Sequence, residues 1–174
     1  MLYFAYGSNL DPDQMRERCP GHRAVGMVRL RDHKLIFPRF SPDWGGGVAS
    51  LQLSHGKDLW GMVYELTDED LKVLDAREGF HTPADANNRY EREPIWVELV
   101  RPEDGSVPRR VRAWTYLARL ANPSLPSRRY MDTVIKGARA HRLPDDYIAA
   151  LGRLPVLAEE AAEGGADPEG GATG

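Results

Sequence analysis

The stretch that most constrains this chain is Tyr3-Phe4-Ala5-Tyr6-Gly7-Ser8-Asn9-Leu10. Leu2 to Tyr6 is apolar and aromatic with no charge, as a short buried strand requires. Gly7-Ser8-Asn9 then breaks it with residues that tolerate unusual backbone angles and hydrogen-bond locally. Asp11-Pro12 opens a helix: Asp suits the N-cap, Pro suits the first helical position, and Gln14 stands where a capping box has Glu or Gln. A strand, a tight turn and a helix start in succession leave several backbone N–H groups pointing one way. Such a turn can hold a carboxylate or a developing oxyanion.

The pattern beyond it is mostly strand. Cys19-Pro20-Gly21 ends the first helix, expected over about residues 12–18. Ala24 to Leu30 and Lys34 to Phe37 read as two strands. Asp43-Trp44-Gly45-Gly46-Gly47 reads as a flexible glycine turn before Val48 to Leu53. His55-Gly56-Lys57-Asp58 reads as a hairpin turn into Leu59 to Leu66. Thr67 suits the N-cap of a helix over 68–76 with Leu71, Val73 and Leu74 inward. Tyr90 to Leu99 and Val111 to Leu117 alternate as strands. Pro126-Ser127 starts a helix that carries Tyr130, Met131, Val134, Ile135 and Ala138 on one face. Leu143-Pro144 ends it, and a short helix with Tyr147, Ile148 and Leu151 follows. Six or seven strands with three or four helices, outside strict βαβ alternation, predict an α+β fold. Its sheet is expected to be mixed, largely antiparallel and barrel-like.

A chain of 174 residues suits one domain, expected over residues 1–153. Residues 154–174 read as an acidic, Gly/Ala-rich flexible tail, because that composition buries too little apolar surface to offset ordering entropy. The tail holds Glu159, Glu160, Glu163, Asp167 and Glu169 and no base after residue 157. Without those five acids the formal net charge moves from −3 to +2. A mildly basic body suits an acidic small molecule and is too weak a signal for nucleic acid. Arginine pairs such as Arg128-Arg129 read as solvated faces.

No apolar run reaches the roughly 18 residues of a membrane span, and the first residues lack the pattern of a secretory signal. Cys19 is the only cysteine, which fits a reducing, cytoplasmic compartment. It reads as a small helix-end residue rather than a nucleophile. The five histidines show no metal-ligand spacing. No metal site is expected from the spacing.

Glu78 is the candidate for chemistry. In Leu74-Asp75-Ala76-Arg77-Glu78-Gly79-Phe80, Gly79 suits the position after a helix end. A carboxylate there meets the negative end of the helix dipole, and partial burial beside Phe80 acts in the same direction, so its pKa should rise. A carboxyl moved toward neutrality exchanges protons with an amine or a leaving group.

Five ordered segments, across about residues 2–152, resemble the γ-glutamylcyclotransferase family. Tyr3-Phe4-Ala5-Tyr6-Gly7-Ser8-Asn9-Leu10 resembles its N-terminal signature. Asp43-Trp44-Gly45-Gly46-Gly47-Val48-Ala49-Ser50 is similar to its Trp-x-Gly-Gly-Ile-Ala segment. Leu59-Trp60-Gly61-Met62-Val63-Tyr64 is similar to its Val-Trp-Gly-Val-Val-Trp strand. Leu74 to Gly79 resembles the segment carrying its catalytic Glu. Pro126 to Tyr130, with Gly137-Ala138-Arg139 and Leu143 to Tyr147, resembles its C-terminal helix signature.

The resemblance implies a γ-glutamylcyclotransferase-like fold and a reaction. The α-amine of a γ-glutamyl group attacks its own γ-carbonyl, releasing 5-oxoproline and an amine or amino acid without metal or cofactor. It implies Glu78 as the acid–base residue, Tyr3, Phe4, Ala5, Tyr6, Gly7, Ser8 and Asn9 as substrate-binding, and a hydroxyl contact from Tyr130. For Tyr130 a core position on an apolar helix face is the alternative. The partner is a small γ-glutamyl molecule, with no nucleic acid or membrane. Whether the chain is a monomer or a homodimer is left open. A non-catalytic binder of γ-glutamyl metabolites is the second reading, and a module with a vestigial pocket is the third. The segment Phe80 to Tyr90 is longer than the family pattern and is expected to shape the pocket mouth.

Overall fold

A computed structural model describes residues 1–158 of the chain. Its elements run β1 (Leu2–Ala5), a 3₁₀ turn (Ser8–Leu10), α1 (Pro12–Arg18), β2 (Arg23–Ser41), β3 (Gly46–Glu65), α2 (Asp68–Glu78), β4 (Tyr90–Pro102), β5 (Arg109–Ala118), α3 (Arg128–Ala140) and α4 (Asp145–Gly152). The strands close into a barrel in the order β1-β3-β2-β4-β5. Every pairing is antiparallel except β1 with β5, which meet in parallel at Tyr3 and Trp114. The α+β class and the largely antiparallel barrel expected from the sequence are therefore present.

The strand count is five rather than six or seven, because two expected breaks do not end a strand. Residues 54–57 bulge out of β3 between Leu53, paired with His33, and Asp58, paired with Arg31. Opposite them Asp32 takes a positive φ of 57° and its Oδ1 accepts the Gly56 N–H at 2.8 Å. This local side-chain bond satisfies the interrupted ladder, so the chain continues as one strand. The glycine turn does form, at residues 42–45, and joins β2 to β3.

Helix starts follow their caps. Asp11 accepts the Asp13 N–H, Thr67 and Asp70 form a reciprocal capping box, and Ser127 accepts the Tyr130 N–H. Gln14 does not complete a capping box; it reaches back to Ser8 and Asn9. In α2 only Leu74 of the three expected inward residues is fully buried, while Val73 is 44% exposed. A short surface helix with three acids in its first turn needs little more than one apolar anchor.

Tyr130, Met131, Val134 and Ala138 of α3 are buried, with Ile135 partly so. Gly137 lets α3 press on the 3₁₀ turn: a Cβ there would stand 2.3 Å from the Leu10 carbonyl carbon. Lys136 adds ion pairs to Asp11 at 3.1 Å and Asp13 at 2.7 Å. The turn after β1 is thereby clamped between α1, α3 and the barrel.

Residues 154–157, expected as the start of the tail, pack on the body. Leu154 and Val156 lie against the core, and the Leu157 N–H donates to the Pro126 carbonyl at 2.9 Å. Their apolar side chains explain the difference. The acidic remainder from 159 onward lies outside the described residues. Among the described residues no helix is long and apolar enough to cross a membrane.

Candidate active site

Strand β1 delivers Tyr6 and the Gly7-Ser8-Asn9 turn to one end of the barrel. The turn's own hydrogen bonds begin at Leu10, whose N–H donates to Gly7, followed by Asp11 to Ser8. The preceding N–H groups have no acceptor within the turn. The start of β4, the end of β5, the β2–β3 tip and the start of α3 gather at the same end. Between them lies a cavity of about 630 Å³.

Glu78 closes α2 against this cavity. Gly79 follows in the left-handed conformation, with φ 64°, as the sequence predicts. The carboxylate is half-buried, and its Oε1 accepts the Asn9 Nδ2–H at 3.3 Å. Burial holds the Glu78 carboxyl above the usual carboxylate range, against the lowering pull of Arg18, the Asn9 hydrogen bond and Arg89. Desolvation thus dominates. Phe80 is not part of the cavity wall; it is buried, with the Arg92 guanidinium 4.8 Å from its ring centroid.

The other expected residues divide by position. Tyr3, Tyr6, Gly7, Ser8, Asn9 and Tyr130 line the cavity with Glu78. Phe4 and Ala5 do not; both are fully buried core residues. Their place is physical: they are interior strand positions, and Phe4 packs against Gly61 and the Tyr6 ring. They support the turn rather than face the space.

Tyr130 is both a core residue and a wall residue, so the two readings of it meet. Its hydroxyl accepts the Ala49 N–H at 3.0 Å, and its ring stands edge-on to Trp44 at 5.1 Å. Burial pushes the phenols of Tyr3, Tyr6, Tyr90 and Tyr130 upward, so each stays protonated at neutral pH. They offer O–H groups and no base.

Sequence reasoning missed the arginines. Arg18, Arg39, Arg77, Arg89 and Arg129 line the cavity, against the carboxylates of Glu78 and Asp43. They come from five separate places in the chain, so no local spacing announces them. Arg129 is exposed, as expected, and there its guanidinium lies 4.9 Å from the Trp44 ring and donates to the Asp43 carbonyl. The Phe80–Tyr90 segment reaches the cavity only through Arg89 and Tyr90. Its middle folds on itself about the buried Asn88, which accepts the His81 N–H and donates to the Thr82 carbonyl.

A polar cavity at a barrel end, with one raised carboxyl among neutral phenols and arginines, defines a site for a small anionic molecule. Comparison with known proteins gives the family. Residues 58–151 match the family model described as AIG2-like family. γ-Glutamylcyclotransferase of Bos taurus is 31% identical over 157 residues, 88% of this chain and 78% of that protein. The Homo sapiens γ-glutamylcyclotransferase is 30% identical over 151 residues, 84% of this chain and 74% of that protein. A solved structure of a γ-glutamyl cyclotransferase superposes with a TM-score of 0.76 at 28% identity, covering 92% of this chain and 91% of that one. The chain belongs to the AIG2-like, γ-glutamylcyclotransferase family.

Proposed function

We propose that this protein is a γ-glutamylcyclotransferase, cleaving a γ-glutamyl amide to 5-oxoproline and a free amine or amino acid. The observation that carries the reading is the half-buried Glu78 carboxyl, raised in pKa, in one cavity with the donor-rich Gly7–Asn9 turn.

The substrate's α-ammonium gives a proton to the Glu78 carboxylate. The resulting amine attacks the γ-carbonyl carbon, the ring C–N bond forms, and the carbonyl electrons move onto oxygen. On collapse the bond to the leaving nitrogen breaks, that nitrogen takes the proton from Glu78, and the regenerated carboxylate takes the second proton from the ring nitrogen, leaving a neutral lactam. With that second proton passed on to the released amine, which departs as its ammonium form, atoms and charge balance. A carboxyl with a raised pKa suits both transfers, since a strong acid would neither hold the proton nor return it in step. N–H groups of the turn stabilise the tetrahedral oxyanion or the substrate α-carboxylate. The buried phenols of Tyr3 and Tyr130, whose oxygens accept from Asn9 and Ala49, keep their own O–H groups. These donate hydrogen bonds and hold the glutamyl chain bent so that nitrogen meets carbon. Tyr6, whose O–H donates to the Tyr116 carbonyl at 2.6 Å, adds wall area. The sole cysteine supports a reducing, cytoplasmic setting.

The test is incubation with a panel of γ-glutamyl amino acids and γ-glutamyl amines, with 5-oxoproline quantified by mass spectrometry. Stoichiometric 5-oxoproline and free amine support the reading. Binding without product would favour a γ-glutamyl metabolite-binding protein on the same fold.

A further inference from the structure

Asn9 stands between Glu78 and two donors of α1. Its Nδ2 donates to the Tyr3 hydroxyl at 2.8 Å and to Glu78 Oε1 at 3.3 Å. Its Oδ1 accepts from Arg18 at 2.8 Å and from Gln14 Nε2 at 3.1 Å. All four hydrogen-bonding positions of the amide are thus used. The two ends of an asparagine amide are nearly the same size, so the side chain alone has no preference for which end meets the carboxylate. The α1 donors decide it. A flipped amide would set Oδ1 against Glu78 and an NH₂ group against a guanidinium.

Accepting Glu78 as the proposed acid–base residue, we propose that Arg18 and Gln14 are positioning residues: by donating together to Asn9 Oδ1 they hold its NH₂ on Glu78 Oε1 and leave Oε2 as the oxygen that exchanges the proton. Gln14 also donates to Ser8 Oγ at 2.9 Å. The same side chain therefore sets the register between the oxyanion-binding turn and the base. Misplacement of either by about 1 Å costs such a site much of its rate.

The groups facing Glu78 are known. Arg18 from α1 and Arg89 from the segment after α2 are the cations acting on it. The phenols of Tyr3, Tyr6, Tyr90, Tyr116 and Tyr130 surround it, and burial holds each of them neutral. Cys19 feels the Glu78 charge weakly and is itself held protonated.

The experiment is a carboxyl ¹³C NMR titration of Glu78 in the free protein, assigned with Glu78→Gln, for wild type, Arg18→Met, Arg18→Lys and Gln14→Met. Arg18→Met should move the Glu78 titration upward by about one pH unit, since it removes a cation and frees the amide to flip. Gln14→Met, at a half-exposed side chain, should move it upward by less, and Arg18→Lys should restore most of the wild-type value. The acid limb of kcat/KM should move with the titration, about tenfold in rate per pH unit below it. A merely structural role for these residues would lower Tm and leave the Glu78 titration at its wild-type position in every variant, which would overturn the proposal. Shifted titrations in a protein whose wild type releases no 5-oxoproline would fault the reaction while upholding this placement of the carboxyl.

Discussion

The Tyr116 hydroxyl donates to Asp75 Oδ1 at 2.6 Å, three residues before Glu78 on the same helix. Asp75 Oδ2 is paired with Arg92 at 2.6 Å, so α2 is tied to β4 and β5 just before it presents its terminal carboxylate to the cavity. Both ion-pair side chains are mostly covered, and a hydrogen bond to such a charge contributes about 1.5–3 kcal/mol. Tyr116→Phe should therefore lose about that much stability in urea unfolding. It should also lower kcat about tenfold with KM nearly unchanged, because the helix end loses its fixed angle.

Glu78 is raised above its usual 4.5 by burial, so its ionised form is less favourable folded than unfolded. Below the unfolded pKa both states are protonated and the folded protein keeps its full stability. As pH rises through the higher folded-state pKa, wild type loses stability that Glu78→Gln keeps. The variant should melt about 2–4 °C above wild type at pH 8 for each ~1 kcal/mol retained. The difference should close toward pH 4. Differential scanning calorimetry across that range measures it.

Arg129 rests on the face of Trp44 at the cavity mouth, with Arg39 also on the wall. A leaving half that carries a carboxylate meets these cations; a simple amine does not. Arg129→Met should raise KM for γ-glutamyl amino acids about three- to tenfold and leave γ-glutamyl alkylamines unchanged. Steady-state kinetics on the paired substrates distinguishes the two.

Cys19 is fully buried at the end of α1, where its thiol meets the Asp70 carbonyl at 3.7 Å. Burial, reinforced by the Asp70 carboxylate, pushes the thiol pKa up to about 12. The thiolate is the reactive form. Native protein should resist Ellman's reagent at pH 8 for hours and react with one equivalent within minutes in denaturant.

Much of the site was legible because it is local in sequence. The Tyr3–Asn9 turn, the Gly79 helix stop and the Ser127 cap each depend on neighbours a few residues away, and each forms as read. The place of Glu78 at the end of α2 was legible for the same reason, and burial is what raises its pKa. What escaped is held by distant partners. Phe4 and Ala5 share the motif yet face the core, because strand geometry assigns faces that the motif does not display. The arginines of the wall come from β2, α1, α2, α3 and the segment before β4, and only closure of the barrel brings them together. The bulge at Asp32 needed a side-chain bond across the hairpin to keep β3 continuous.

The central claim is that Glu78 moves the proton in a cyclisation. The most direct measurement is 5-oxoproline release from the best γ-glutamyl substrate by wild type and by Glu78→Gln, with folding of both verified by circular dichroism. The account predicts that wild type turns over and that kcat of the variant falls by about 10²–10⁴, the range of general acid–base catalysis, with substrate still bound. Wild-type rates in a folded Glu78→Gln would contradict it and move the acid–base role to another group.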